Sequence, residues 1–424
     1  MTTVYLIEEY EHHIPENIKK ALLFCSKVAD EANIPIFLIG GIVRDIIISR
    51  KNFDVDITVQ GNAVEFAKLV QEKCPGICQV KEIHDAFKTA KIQFILNDNG
   101  DECVKIDLAS TRKESYPCPA CLPVIEKIGC ELYEDVIRRD FTINSMALSL
   151  NQNSFCQLID YLSGYSDIHQ GLIRILHHNS FIDDPTRIIR ALKFSVRFGY
   201  KLDDETQKLM HECLNSRRFD NLAGERVKLE LKQALNINNA EVLTRFINEN
   251  IYRLVDTELE IPPNIDDLSK KCEQTVKENM GFLYTDENIW LIYLGVLLLS
   301  RETLEKLYMS NQEQEIVINA DMLAQKKHTL ASAKTRFEVY EFFEKSRIES
   351  ILAFLTKNYD LKDKVDLYLN ELQDITLSIN GDTLIKMGMQ PGPNFGKLLR
   401  EALRAKINGK IITHEEEIEF AKSF

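Results

Sequence analysis

Two aspartates, Asp54 and Asp56, combine residue type and spacing in a way that could support chemistry. They alternate with apolar residues between 53 and 59, which predicts a β-strand carrying both carboxylates on one face, about 6.5 Å apart. Aspartate is disfavoured in strands and like charges repel, so strand stability does not account for the pair. Because Mg²⁺ prefers carboxylate oxygens and substrate phosphates, the pair predicts a magnesium site for phosphoryl transfer. The alternative is a surface strand that happens to carry two acids.

A pair of glycines precedes this strand. Gly40 and Gly41 follow an apolar run and lead into a short helix that carries Arg44. Glycine lets the backbone approach a phosphate chain, and a helix start offers free N–H groups. The sequence GGIVRD followed by DVD resembles the nucleotidyltransferase signature, and its VRD variant resembles the class II tRNA nucleotidyltransferases and bacterial poly(A) polymerases. The resemblance implies that Gly40, Gly41 and Arg44 bind the nucleotide and that Asp54 and Asp56 hold the catalytic metal.

A second motif, RRDFTINS at 138–145, resembles the segment that lies against the nucleotide in the same family. The resemblance implies that Arg139 lies near the phosphates and that Asp140 and Asn144 lie near the ribose hydroxyls. The residue types suit these roles, because a guanidinium matches phosphate oxygens, a carboxylate accepts from hydroxyls and an amide does both.

A further acid falls on a later strand. Patterning predicts strands over 78–83, 89–96 and 103–109, with a turn at 97–100 that joins the last two as a hairpin. Asp107 lies in the last of them, between two apolar residues. The resemblance implies that it is a third catalytic acid from the same sheet, and a solvent-facing acid is the alternative.

A third motif, DDPTR at 183–187, opens a helix predicted to run to 198. Proline at a helix start makes N-capping one role for Asp184. The family has an E-D-x-x-R motif here, and the resemblance implies that Asp184 and Arg187 contact the Watson–Crick edge of incoming C or A. An acceptor and a donor held in one plane could replace a template base.

The same helix has a basic stripe opposite its apolar face. Arg190, Lys193 and Arg197 form this stripe. It predicts contact with nucleotide or RNA phosphate, with Arg190 nearest the motif, and a merely solvated face is the alternative.

Residues 111–133 contain three prolines and no periodicity, which predicts a loop. The string TRKESY followed by LPVIEKIG resembles the flexible loop of enzymes that add A or all of CCA. Cys118 and Cys121 have C-x-x-C spacing here, but no second pair stands at zinc-site spacing. We therefore expect both to be free thiols.

Composition indicates a large globular protein. A length of 424 residues predicts about two to four domains, and a net charge of −13 argues against a generally basic RNA-binding surface. The N-terminal residues do not form a secretory signal, and the most apolar window, 289–299, is too short to span a bilayer. Ten cysteines without regular spacing suggest reduced thiols. We expect a cytoplasmic protein without a membrane partner.

The resemblance is specific over 37–235 and implies an α+β fold. It predicts a nucleotidyltransferase head with a small mixed β-sheet and helices, followed by an all-helical neck, body and tail. The expected bounds are 1–175, 176–240, 241–345 and 346–424. The tail is expected to bind RNA, although aromatic residues at helical spacing within 335–355 are more typical of a core.

The implied reaction is template-independent addition of CCA, or of its terminal A, to the 3′ end of tRNA. CTP and ATP would be the substrates, Mg²⁺ the cofactor and pyrophosphate the product. An enzyme adding only A and a poly(A) polymerase share the head motifs and stay open as alternatives. A non-catalytic RNA-binding protein is a further alternative, but it would not need the acids of a metal site. The sequence leaves the oligomeric state undetermined.

Overall fold

The computed structural model describes residues 3–51, 54–96, 103–216 and 219–424. The chain forms two compact units, Met1–Ala223 and Gly224–Phe424. The boundary between the units falls inside the segment predicted as the neck. The division of the chain into head, neck, body and tail stays a prediction.

The first unit contains both strands and helices. Its strands are β1 (Ile36–Ile39), β2 (Val55–Val59), β3 (Cys78–His84), β4 (Thr89–Ile95), β5 (Cys103–Ser110), β6 (Arg112–Ser115), β7 (Val124–Ile128), β8 (Ala147–Ser149), β9 (Leu158–Ile159), β10 (Leu172–Ile173) and β11 (Lys201–Leu202). Its helices are α1 (Ile7–His13), α2 (Glu16–Glu31), α3 (Gly41–Ile47), α4 (Ala63–Lys73), α5 (Leu132–Val136), α6 (Gly164–Gln170), α7 (Ser180–Asp183), α8 (Thr186–Phe198) and α9 (Asp204–Ser216).

One mixed sheet forms the centre of this unit, with strand order β3-β4-β5-β2-β1-β8-β9. β2 and β5 run parallel, and the other neighbouring pairs are antiparallel. The predicted α+β class is therefore confirmed, as is the pairing of β4 with β5. The predicted turn at 97–100 and Phe53 of the predicted strand lie outside the described residues. The parallel pair matters most, because it places the acids of β2 and β5 side by side.

Helices cover the two faces of the sheet unequally. α2 and α4 pack on one face, where Phe24 of α2 stacks on Phe94 of β4. On the other face, Leu132 and Val136 of α5 pack against Phe37 of β1. Exposed side chains of β2, β5 and β4 occupy the rest of that second face, which we call the open face.

The prediction of a loop over 111–133 is wrong, because β6 and β7 form an antiparallel hairpin there. The register shifts between Lys113 and Glu114, which breaks the alternation that would have marked a strand. Both strands are only partly buried, so the apolar pattern is weak as well. The prolines occupy the tip between the two strands, which we call the hairpin tip (116–123).

The second unit is helical in the described residues. Its helices are α10 (Gly224–Leu235), α11 (Ala240–Asn248), α12 (Ile265–Asn279), α13 (Ile289–Val296), α14 (Arg301–Lys306), α15 (Asn311–Gln325), α16 (Lys327–Ser332), α17 (Arg336–Phe343), α18 (Ile348–Lys357), α19 (Lys362–Leu367), α20 (Gly381–Lys386), α21 (Pro393–Ile407) and α22 (His414–Ser423). Every residue of α13 is buried, against α15 and α18 among others. Phe337, Phe343 and Phe354 are also buried, which confirms that they are core residues. None of the described helices could cross a bilayer.

Candidate active site

The open face carries acids from two neighbouring strands. Asp56 of β2 and Asp107 of β5 are register partners, so their side chains project from one face of backbones about 4.8 Å apart. Asp54 lies just before β2, and strand alternation puts it on the side of Asp56. All three are exposed, and they line one cleft of about 1080 Å³. The structure thus brings together the three residues predicted as catalytic acids.

The electrostatics of this cleft favour an added cation. Desolvation raises the pKa of Asp56 from 3.8 to about 6, Asp107 and Asp54 add to the rise, and Arg139 opposes it. A cation would relieve the repulsion between these carboxylates. No group of three or more His, Cys, Asp or Glu residues in the described part of the chain could hold a metal ion by itself. The donors therefore fit a hard divalent cation that takes further ligands from bound phosphate and water.

A glycine turn and an arginine meet near these acids. Gly40 follows β1 with φ +75°, and a Cβ at this position would lie 3.4 Å from Nη1 of Arg139. Gly41 begins α3. The Arg139 side chain donates from Nη2 to Asp135 at 2.9 Å, while its Nε is buried and has no hydrogen-bond partner among the described residues. Since the charge of Arg139 also acts on Asp56, the guanidinium is placed to bind an anion beside the acids.

Asp140, Asn144 and Arg190 form a hydrogen-bond network centred on the Asp140 carboxylate. Nε and Nη2 of Arg190 donate to Oδ2 of Asp140 at 2.9 and 2.6 Å. Nδ2 of Asn144 donates to Oδ1 of Asp140 at 3.1 Å, and so does the N–H of Phe141, at 2.8 Å. Burial acts to raise the pKa of Asp140, but Arg190 and Asn144 outweigh burial and hold the pKa at about 2. Asp140 is therefore a permanent anion in this network.

Arg44 lies beneath this network. Its Nη1 donates to Oδ1 of Asn144 at 2.5 Å, and its Nη2 is 2.8 Å from Oδ1 of Asp45. The guanidinium also stacks over the rings of Phe194 and Phe198, 5.3 and 4.6 Å from their centroids. Only 4% of the residue is exposed. The structure places Arg44 behind Asn144, so its direct contact with a nucleotide stays a prediction.

Asp135 of α5 accepts hydrogen bonds from both arginines of the RRD motif. It was not among the residues predicted from the sequence. It is fully buried and accepts from Arg138 at 2.7 Å, from Arg139 at 2.9 Å and from the N–H of Arg112 at 3.1 Å. Burial acts to raise its pKa, but Arg139 and Arg138 outweigh burial and lower the pKa. Its spacing of three and four residues from the arginines, which lets an acid and a base pair on a helix, was the available signal.

Asp184 and Arg187 lie at the start of α8 as predicted. Nε of Arg187 is 4.0 Å from Oδ2 of Asp184. Nη1 of Arg187 donates to Oγ of Ser180 at 2.7 Å, and Nη2 donates to the carbonyl of Arg138 at 2.8 Å. Oδ1 of Asp184 accepts from the N–H and the hydroxyl of Thr186, as a capping residue would. Both side chains are therefore held in one orientation, which base recognition requires.

The predicted basic stripe on α8 is wrong. Lys193 is only 5% exposed, and its ammonium lies 5.1 Å from the ring centroid of Phe194. Arg190 is bound to Asp140, and Arg197 alone of the three is exposed. α8 is buried on most of its circumference, so the face predicted to meet nucleotide or RNA phosphate lies largely within the unit, with Arg190 bound to Asp140. Sequence periodicity cannot distinguish these two environments.

Cys118 and Cys121 are joined by a disulfide, so the expectation that both are free thiols is wrong. The turn at the hairpin tip brings their Cα atoms to 5.5 Å, which is within the range that a disulfide spans. The spacing in the sequence could not show this turn. The other eight cysteines are free, and Cys103 is the exposed one among them.

The hairpin of β6 and β7 contacts both the RRDFTINS motif at 138–145 and the segment around the DDPTR motif at 183–187. At its tip, the N–H of Ala120 donates to the carbonyl of Ile182 at 2.9 Å, and the hydroxyl of Tyr116 is 3.4 Å from Nη2 of Arg187. On β6, Glu114 accepts from Arg138 at 3.1 Å. The hairpin therefore contacts both the RRD motif and the helix start that carries Arg187.

Three features of this unit define the head of a nucleotidyltransferase. They are a mixed sheet with acids on adjacent parallel strands, a glycine turn, and an arginine whose charge acts on the acids. The family model described as the poly(A) polymerase head domain matches residues 36–174, and the one described as tRNA nucleotidyltransferase domain 2 matches residues 283–421. Residues 36–174 therefore belong to the poly(A) polymerase head-domain family, and residues 283–421 belong to the family of tRNA nucleotidyltransferase domain 2.

Known proteins similar to the chain include enzymes of tRNA maturation. An A-adding tRNA nucleotidyltransferase of Geobacter sulfurreducens is 30% identical over 96% of this chain and 47% of its own length, and one of Aquifex aeolicus is 32% identical over 88% and 45%. The chain thus spans about half the length of these two relatives. A third, of Halalkalibacterium halodurans, is 27% identical over 99% and 95%. A Thermotoga maritima CCA-adding enzyme complexed with tRNA has a TM-score of 0.78 and 26% identity, over 100% of this chain and 99% of that one.

Proposed function

We propose that the chain adds nucleotides from CTP and ATP to the 3′ end of tRNA without a template and releases pyrophosphate. The observation that carries the proposal is the convergence of Asp54, Asp56 and Asp107 on one open face beside Gly40 and Arg139. The names of the relatives specify tRNA as acceptor, and we carry that acceptor over to this chain.

In this proposal, the triphosphate lies toward Gly40 and Arg139, and the terminal 3′-hydroxyl attacks its α-phosphate in line. Phosphoryl transfer then needs positioning and charge neutralisation rather than a protein nucleophile. Arg139 binds phosphate oxygens through its guanidinium, whose Nη1 lies beside Gly40. Asp107 accepts a hydrogen bond from the attacking hydroxyl, whose proton it can take.

The network around Asp140 leads us to propose a different role for this residue from the expected contact with the ribose hydroxyls. Four hydrogen bonds from Phe141, Asn144 and Arg190 reach its two oxygens, which fills the roughly four acceptor sites of a carboxylate. We therefore assign Asp140 to positioning Asn144 and Arg190, which face the nucleotide. Arg44 positions Asn144 from the other side.

We propose that the cation is Mg²⁺ and that Asp54 and Asp56 hold it. When bound, it neutralises charge on the triphosphate and on the leaving pyrophosphate. Oxygen donors suit a hard cation, and the raised pKa of Asp56 indicates that positive charge is favoured there. The carboxylates orient the reacting groups around that charge.

Base selection is assigned to Asp184 and Arg187. Adenine and cytosine both present an amino donor beside a ring-nitrogen acceptor, which an Asp and an Arg complement. The contacts of Arg187 with Ser180 and Arg138 fix its guanidinium before substrate binds.

Primer extension tests this function. We would offer tRNA lacking CCA, tRNA ending in C and tRNA ending in CC, with CTP and ATP supplied singly and together. Ordered use of both nucleotides supports CCA addition, and extension of an unrelated RNA by many A residues indicates a poly(A) polymerase. If no RNA is extended, a non-catalytic RNA-binding role replaces the proposal.

Addition of the terminal A alone is the second candidate. The A-adding relatives are 27–32% identical to the chain, and they favour this narrower activity. In that case, only tRNA ending in CC is extended, and only with ATP. CCA addition stays our prediction from the sequence, and the primer series decides between the two.

We propose the cytoplasm as the compartment. The eight cysteines other than the Cys118–Cys121 pair are free and seven of them are buried, which suits a reducing environment despite the single disulfide. Fractionation of cells producing the tagged chain would test this.

A further inference from the structure

Two lysines lie next to the acids on the open face. Lys91 of β4 is the register partner of Asp107, and Lys105 of β5 lies opposite Gln93. Lys105 precedes Asp107 by two residues, so both side chains project from the same face. The two lysines are exposed and line the same cleft as the three acids.

Neutralisation of a neighbouring acid accounts in part for Lys91 but not for Lys105. The ammonium of Lys91 is 3.4 Å from Glu82, and no ion pair joins either lysine to Asp107 in the described structure. Lys105 has no hydrogen-bond or ion-pair partner among the described residues. The charge of Lys105 is therefore available to a ligand in the cleft.

The order of the strands indicates whether the triphosphate or the acceptor strand would lie near the two lysines. From β1 to β4, the sheet presents Gly40 at the end of β1, then Asp56, then Asp107, then Lys91. In-line transfer puts the attacking and leaving oxygens on opposite sides of the transferred phosphorus. If the triphosphate lies at the Gly40 end, as proposed above, the acceptor strand enters over β5 and β4.

We propose that Lys105 and Lys91 bind backbone phosphates of the acceptor strand next to its terminal nucleotide. This inference rests on the proposed nucleotidyl transfer and assigns the side of the site that receives RNA. Lysine is a point charge that suits a phosphodiester without reading its sequence. The two cations also give the strand a local positive contact on a protein whose net charge is −13.

The test measures single-nucleotide addition by Lys105→Ala, Lys91→Ala and the double variant, at varied tRNA and varied ATP. We expect each single change to raise the KM for tRNA about five- to tenfold and leave the KM for ATP unchanged. The slope of log KM against log salt should fall by about 0.7 for each lysine removed, as for single strands. Lys105→Arg should restore tRNA binding, and Lys105→Glu should weaken it beyond Lys105→Ala.

Lys73→Ala is the matched control, because Lys73 is an exposed lysine of α4 that pairs with Glu31. It should leave both KM values and the salt slope unchanged. The inference is overturned if Lys105→Ala and Lys91→Ala keep the wild-type KM for tRNA and its salt slope, or if only the KM for ATP rises. Thermal unfolding confirms that each variant is folded. Failure of the wild-type chain to extend any tRNA contradicts the proposed function itself, a distinct result.

Discussion

Two groups of aspartates in the first unit differ in the direction in which their surroundings shift the carboxyl pKa. Asp56 and Asp107 face each other on parallel strands without an ion pair in the described structure, and the pKa of Asp56 rises to about 6. Asp135 and Asp140 are more deeply buried, yet their arginine partners lower their pKa values. The first group, which we call the strand acids, is arranged to receive positive charge from outside the chain. The second group, the scaffold acids, has its positive charge built in.

The largest expected effect comes from removing a strand acid. Asp56→Ala should lower nucleotide addition by about 10³-fold or more, since charge stabilisation at the transferred phosphate is lost. Thermal unfolding should show a folded protein, and tRNA binding should persist. Asp85→Ala is the control, because Asp85 is an exposed acid paired with Lys88 on the turn between β3 and β4. A rate within about tenfold of wild type would remove Asp56 from the metal site.

Removing a scaffold acid should lower the stability of the fold, which removing a strand acid should not. Asp140→Asn leaves the guanidinium of Arg190 without its anion, and we expect a loss of about 3 kcal/mol in the free energy of unfolding. Asp107→Asn should change that free energy by less than about 0.5 kcal/mol. Urea unfolding of both variants measures the difference. Equal losses would show that the two groups do not differ as the structure indicates.

Base selection tests Asp184, an acid that has partners in the fold and that we propose contacts the incoming base. Arg187→Ala and Asp184→Ala should each narrow the preference for ATP and CTP over GTP and UTP. Leaving one polar group of a base unpaired costs about 1–3 kcal/mol, which corresponds to roughly 5- to 150-fold in discrimination. Single incorporation of all four nucleotides, together with thermal unfolding, provides the measurement. Lower stability with unchanged base preference would leave Asp184 as a helix cap only.

The smallest effect is a pH dependence of stability that has opposite signs in the two groups. The folded-state pKa of Asp56, about 6, is above its reference value of 3.8, so its contribution to stability falls as pH rises between these values. Asp140, with a folded-state pKa of about 2, contributes fully above 3.8 and loses its contribution as pH falls through 2.

Asp56→Asn should therefore melt above the wild type at pH values higher than about 6, and the difference should vanish near pH 4. Added Mg²⁺ should raise the melting temperature of the wild type more than that of the variant. Melting curves from pH 4 to pH 8 test both statements. If the difference in melting temperature between the variant and the wild type did not depend on pH or Mg²⁺, the proposed raised pKa of Asp56 and the proposed cation site would both be contradicted.

The sequence by itself determined the local elements that carry the site. Alternation placed Asp56 and Asp107 on strands and Asp54 next to one, and the glycine pair and the proline after Asp184 marked where helices begin. These signals are local, because backbone preference and side-chain period depend on near neighbours. The resemblance of whole motifs added the family, and the comparisons confirm it.

Only the tertiary structure decided which charges are partnered. It buried Lys193, placed Arg44 under Asn144, and brought Glu114 to Arg138, an arginine of a distant motif. It also formed the hairpin with its disulfide where composition predicted a loop with free thiols. The physical reason is that burial and ion pairing depend on residues far apart in the chain, which are brought together only by packing around the sheet. The same charged residue is a solvated group or a structural ion according to what that packing places beside it.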